Sequence, residues 1–141
     1  MKRQAKQLLF ILENPSVIKG SLTLHRLLLT EEYTRLDFSY ISPKYYIYGG
    51  WIRIAPESYL FNKNTGKKYK LIHTKNIPLA PNQYEFEASK DSAYFSLYFK
   101  PIPIENCEID FIEDENLDPK NFNLKGILLN MNEGIKVFSI E

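Results

Sequence analysis

Bulky and polar residues trade places at every second position over long stretches of this chain, the mark of strands with one dry and one wet face. In Tyr33–Ile41, Leu36, Phe38 and Tyr40 alternate with Arg35, Asp37 and Ser39. In Ala93–Phe99, Ala93, Phe95, Leu97 and Phe99 share one face, and Tyr94, Ser96 and Tyr98 share the other. Cys107, Ile109 and Phe111 repeat the period as an inward row. Ser21–Thr30 is less regular, because Leu27, Leu28 and Leu29 are consecutive. A bulge, or a strand covered on both faces, accounts for them. The acidic pair Glu31–Glu32 between the first two runs predicts a hairpin.

Turn formers separate the remaining runs. Ser42–Gly50, SPKYYIYGG, is a loop whose Gly49–Gly50 pair permits positive φ just before a strand Trp51–Ile54. Pro56 interrupts that strand and argues for an edge position or a kink. Asn64-Thr65-Gly66 forms a turn between Tyr59–Phe61 and Lys68–Ile72. Pro78 and Pro81 bound a connecting loop through Lys75–Asn82, and Pro101 and Pro103 stop the strand that ends at Phe99. Leu124–Leu129 and Ile135–Phe138 flank a turn at Asn132-Glu133-Gly134. Arg3–Leu12 is the only helical candidate and reads equally well as a first strand.

Turn signals every 8–12 residues, roughly, separating about eight or nine short strands predict an all-β, immunoglobulin-like antiparallel β-sandwich. With no repeat, linker or low-complexity tract, residues 1–141 form a single domain. Its expected core comprises Leu36, Phe38, Trp51, Ile54, Phe95, Leu97, Phe99, Ile109 and Phe111. Composition supports strands: ten Tyr, nine Phe and one Trp stand beside eight scattered Pro.

The 18 basic and 17 acidic residues leave a net charge of +1, so no overall field draws in nucleic acid or anionic membrane. Two local biases, the strip Lys63, Lys67, Lys68, Lys70 and the acidic loop Glu113, Asp114, Glu115, Asp118, read as solvated turns that keep strand ends soluble. The single cysteine, Cys107, excludes an intrachain disulfide. The five apolar residues of Leu8–Leu12 fall short of the roughly 7–15 a cleavable signal needs. No run approaches the roughly 18 apolar residues of a membrane span. As written, the chain is expected to be cytoplasmic, or a domain without its native leader.

The order of WIRIAPESYL, TGKKYKL, NIPL, FSLYFKPIP and IDFIE resembles a β-sandwich module of unknown role found in cell-envelope proteins of certain Gram-negative bacteria, often ahead of a thioredoxin-like domain. The upstream segment Asn14–Leu36 is similar to the start of that module, so the resemblance covers about residues 14–129. It implies a sandwich fold, a non-catalytic accessory role and a location in the cell envelope or periplasm. This chain lacks a Cys-x-x-Cys pair, and the loop after IDFIE reads DENLDPKN, so no redox activity carries over.

Candidate chemistry is sparse. Asp114, Asn116 and Asp118 have a spacing that can offer oxygens to calcium. However, Pro119 stands where a calcium loop needs glycine, and Lys125 where it needs glutamate. His25 and His73 are far apart and have no second ligand at metal-binding spacing. Cys107, in phase with Ile109 and Phe111, reads as a small buried hydrophobe with no base to activate it. Gly49, Gly50 and Gly66 lack a phosphate-loop pattern, and Ser58 and Ser96 lack the context of a nucleophile. Neither metal nor cofactor is expected.

Tyr45, Tyr46 and Tyr48, with Trp51, cluster in and beside the loop at one end. Such rings offer flat amphipathic contact area to a protein partner or a sugar ring, or else cap the core with their hydroxyls in water. The expectation is a non-catalytic interaction module or accessory domain, meeting a protein partner or a second copy. The alternative is a small-molecule or carbohydrate-binding domain using these four aromatics.

Overall fold

The computed structural model describes residues 7–11, 17–19, 21–115, 121–132 and 134–137. The described residues form twelve strands and no helix, hence no helix long and apolar enough to cross a membrane. The first four are β1 (Gln7–Ile11), β2 (Val17–Lys19), β3 (Leu22–Thr30) and β4 (Thr34–Ile41). The next four are β5 (Trp51–Ile52), β6 (Tyr59–Asn62), β7 (Lys68–Lys75) and β8 (Tyr84–Glu85). β9 (Ser92–Phe99), β10 (Cys107–Ile112), β11 (Leu124–Asn130) and β12 (Gly134–Val137) complete the chain. The count exceeds the expected eight or nine because β1, β2 and β8 are strands too. Where Arg3–Leu12 is described, it is strand.

Ten strands belong to one antiparallel sheet in the order β1-β3-β4-β9-β7-β6-β10-β11-β12, with β2 beside β3. The all-β antiparallel reading holds; the strands lie mostly in this one curled sheet, with β3, β4 and β9 in one half and β6, β10 and β11 in the other. β7 is the corner. Its first residues pair with β6 and its later ones with β9, with a register shift at Ile72. The curl brings β1 and β12, the two ends of the order, within 8 Å between Cα atoms. Edge strands left flat invite pairing with other chains, and curling turns these two toward each other.

The halves meet through aromatic rings. Phe38 on β4 and Phe99 on β9 lie 5.9 and 5.7 Å from Phe111 on β10. Two bulges set the inward phase. In β3 the register shifts at His25, so Leu22 and Leu24 before it and Leu27 and Leu29 after it are all buried. The bulge changes the inward phase ahead of the three consecutive leucines, and within them Leu27 and Leu29 are buried while Leu28 is half-buried. In β11 the extra residue falls at Gly126, at φ +77°, and its N–H donates to the buried Asp110 carboxylate at 2.9 Å.

The outer face of the β3-β4-β9 region is polar and knitted together. The Asp37 carboxylate lies 3.0 Å from Arg26 Nε and 2.9 Å from Arg35 Nε, and it accepts a 2.7 Å hydrogen bond from Ser96 Oγ. A buried carboxylate persists only with such partners. Two expectations need correction. Trp51 is no core residue, being 48% exposed. The strand expected over Trp51–Ile54 stops at Ile52, and it pairs with β8 in a separate two-stranded ribbon. Ile54 instead makes an isolated parallel bridge to Leu79, so Pro56 lies outside any strand.

Candidate functional site

The loop Ser42–Gly50 leaves the end of β4 and is tied down along its length. At its base, Ser42 N–H donates to Asp91 O, and Lys90 N–H donates to Ser42 O, both at 2.8 Å. Within it, Tyr46 N–H donates to Pro43 O at 3.0 Å and Gly49 N–H to Tyr46 O at 2.8 Å. The Ser42 hydroxyl crosses the loop to donate to the Gly49 carbonyl. Phe86 N–H then donates to Gly50 O at 2.9 Å, fastening the loop to the ribbon.

Gly49 is the seat. Its φ is +89°, and a Cβ added there would lie 2.6 Å from Phe86 Cβ and 2.7 Å from the Phe86 carbonyl oxygen. Gly49→Ala is therefore expected to lose at least about 2 kcal/mol, adding a backbone clash to the left-handed strain of an L-residue. Chemical denaturation would measure the loss.

On this frame the apolar side chains point to water. Tyr45 is 73% exposed, Ile47 74% and Tyr48 86%, while Tyr46 and Trp51 are roughly half exposed. Tyr84 on β8 adds a further half-exposed ring. Six of the twelve exposed large apolar side chains among the described residues thus lie on this loop and its ribbon. The Tyr45 and Tyr46 rings meet edge to face at 4.7 Å, and the Arg53 guanidinium lies 4.8 Å from the Trp51 ring centre. At an exposed site such a stack favours this placement of the indole by about 0.5–1 kcal/mol.

Beneath the loop other residues seal the core. Rings continue from Tyr84 to Phe86 at 5.1 Å, from Phe86 to Tyr40 at 5.7 Å and from Tyr40 to Phe122 at 5.6 Å. Phe122 passes the contact to Phe95 at 6.2 Å. Burial pushes the Tyr40 hydroxyl above its ordinary pKa, and the neighbouring Tyr46 and Tyr45 phenols add to it. The four aromatics named from the sequence are thus brought to one end, and Phe86 and Tyr40 take the place beneath them.

The other candidates are scattered. His25 Nε2 lies 2.6 Å from Ser39 Oγ on the outer sheet face, and the His73 ring packs 5.3 Å from that of Tyr98. Ser58 Oγ donates to Ala55 O at 2.6 Å and closes a turn. Ser96 is engaged by Asp37. Lys63 pairs with Glu108 at 2.6 Å and Lys68 with Glu115 at 3.4 Å. Asn116 and Asp118 lie outside the described residues, and among those described no three His, Cys, Asp or Glu could hold a metal ion together.

Glu113 departs from the solvated-turn reading. It is buried, and its carboxylate accepts N–H bonds from Ala55 at 3.0 Å and Phe122 at 2.7 Å. It joins two loops far apart in sequence, which no local pattern marks.

Cys107 is buried, and burial, followed by the nearby Glu105 charge, pushes its thiol up to about 11. The raised value favours the neutral thiol in the folded state. Its contribution to stability is therefore complete below the unfolded-chain pKa, roughly 8.5, and is lost as pH climbs toward 11. Ellman's reagent at pH 8 is expected to react slowly with the native chain and rapidly once denaturant unfolds it.

Sequence reasoning missed Ile47, Arg53, Tyr84 and Phe86. The alternation Tyr84, Phe86 was a faint signal for the last two, and the spacing Trp51, Arg53 for the stack. No protein-family model, curated protein or solved structure matches this chain.

Proposed function

We propose that this chain is a non-catalytic interaction module, an accessory domain that meets a protein partner through the aromatic end formed by Tyr45, Tyr46, Ile47, Tyr48 and Trp51. The observation that carries the reading is a run of bulky apolar side chains held in water on a braced backbone. Exposed apolar groups gain little in the free protein, and contact with a partner removes them from water. Tyr, Trp and Arg are the residues most often responsible for affinity at interfaces. Bracing by Ser42, Gly49 and Phe86 means little backbone freedom remains to be lost on binding. The wider proposal, that the chain is kin to the envelope β-sandwich module, rests on the order of WIRIAPESYL, TGKKYKL, NIPL, FSLYFKPIP and IDFIE, the first of which opens the ribbon.

Replacing Tyr45 and Tyr48 together by Ser is expected to change stability by no more than about 0.5 kcal/mol, as for other exposed positions. A thermal melt of the double variant checks this; a large drop would return both rings to a core-capping role. A photo-crosslinking residue at position 48, in cells that make the protein, is expected to capture a protein partner. The same residue at position 73, on the outer sheet face, is expected to capture none. Equal capture at both positions would sink the assignment, and retention on a glycan array would shift the ligand class to sugars.

A further inference from the structure

Resting on the reading of the aromatic end as a contact surface, we infer that its partner is a second copy of this chain, docked end to end about a two-fold axis. A two-fold contact is self-complementary: each patch meets its own image. An apolar patch satisfies that requirement without repulsion, and from Tyr45 to Ile52 the chain carries no charge.

The charges around the patch satisfy it too. Lys44 precedes Tyr45, Arg53 stacks on Trp51, and Lys90 bonds the base of the loop through its backbone. Against these stand Glu85 opposite Trp51 in the ribbon, Glu87 just after Phe86, and Asp91 at the loop base. Three cations and three anions balance, so a rim rotated onto itself can set unlike charges together. A partner of strong single sign would find no complement here.

The size of the patch agrees. At about 200 Å² for a whole aromatic side chain, the exposed fractions of Tyr45, Tyr46, Tyr48, Trp51 and Tyr84 present on the order of 600 Å². Ile47 adds to this. A standard interface buries about 800 Å² per partner, so the patch is large enough for a reversible dimer and of little use left in water.

Sedimentation velocity from about 1 μM to 1 mM, the range of a modest interface, tests the inference. The weight-average mass is expected to rise from 16.6 kDa toward twice that value as concentration increases. The single Trp lies in the patch, so its emission is expected to shift to the blue in step with the mass. Ile47→Asp sets like charges near the axis and is expected to weaken dimerisation at least about tenfold. Tyr48→Lys is expected to do the same, should the first variant lose its strand circular dichroism. Ile72→Asp, at an exposed apolar site on β7, is expected to leave it unchanged.

Single-chain mass at every concentration overturns the inference, as does a dimer indifferent to both patch variants. If the chain is monomeric and position 48 captures a different protein, the dimer falls and the interaction module stands. If it is monomeric and captures nothing, both fall. A Trp51 shift that requires phosphatidylcholine vesicles would replace the second copy with a bilayer surface.

Discussion

Phe111→Ala is expected to destabilise the fold by about 3–5 kcal/mol, the range for emptying a large aromatic site. Phe111 is fully buried on β10, where its ring touches Phe38 and Phe99 from the opposite half of the curled sheet. The substitution removes apolar contact and also leaves a void. Its neighbours cannot collapse into that void, because each is held by its ladder: Phe38 by the pairing of β4 with β3 and β9, and Phe99 by that of β9 with β4 and β7. Since Phe111 is where the halves meet, the loss is expected to fall on global unfolding and not on one strand. Equilibrium unfolding in urea would show the midpoint falling with the slope unchanged. Tyr94→Ala, at a largely exposed ring on β9, serves as the control and is expected to lie within about 0.5 kcal/mol of the parent. A loss under about 1 kcal/mol at Phe111 would mean the halves are joined by something other than these rings.

Glu113→Ala is expected to cost about 2–4 kcal/mol, because hydrogen bonds to a charged group contribute about 1.5–3 kcal/mol each and orphaned buried donors add to the loss. Two donors are orphaned at once, Ala55 N–H before β6 and Phe122 N–H before β11. Glu113→Gln keeps one carbonyl oxygen and turns an NH₂ toward the other donor, so it is expected to recover part of the loss and no more. Hydrogen exchange gives a residue-level readout: the Ala55 and Phe122 amides should exchange faster in the alanine variant, while amides within β4 and β9 slow or quicken only with global stability. Unchanged exchange at both amides would show that Glu113 is not what holds these loops.

The strands of the core were legible from the chain itself. Phe95, Leu97 and Phe99 face inward as their alternation requires, and so do Cys107, Ile109 and Phe111. The irregularity expected at the consecutive leucines of β3 lies ahead of them, as a bulge at His25. Trp51 was misplaced for a physical reason. Bulk and aromaticity argue for burial, yet its short strand pairs only with β8, away from the main sheet, and Arg53 covers the indole instead of the core. Glu113 was misread because its partners are Ala55 and Phe122, and a long-range hydrogen bond leaves no periodic trace in sequence. Of the four aromatics singled out in the chain, Tyr45 and Tyr46 meet ring to ring; the loop that carries three of them is fastened by Phe86, a residue dozens of positions away.

Alternation by twos determines which side of a strand is dry, and turn residues determine where strands end, because both depend only on neighbours along the chain. From these the all-β character of this protein follows. Tertiary structure alone decided that ten strands join in one curled sheet, that β7 turns the corner at Ile72, and that β1 and β12 come together. It also decided that a braced loop holds Tyr45, Ile47 and Tyr48 in water. Those outcomes depend on which distant edges and side chains meet, a choice made by packing over the whole domain.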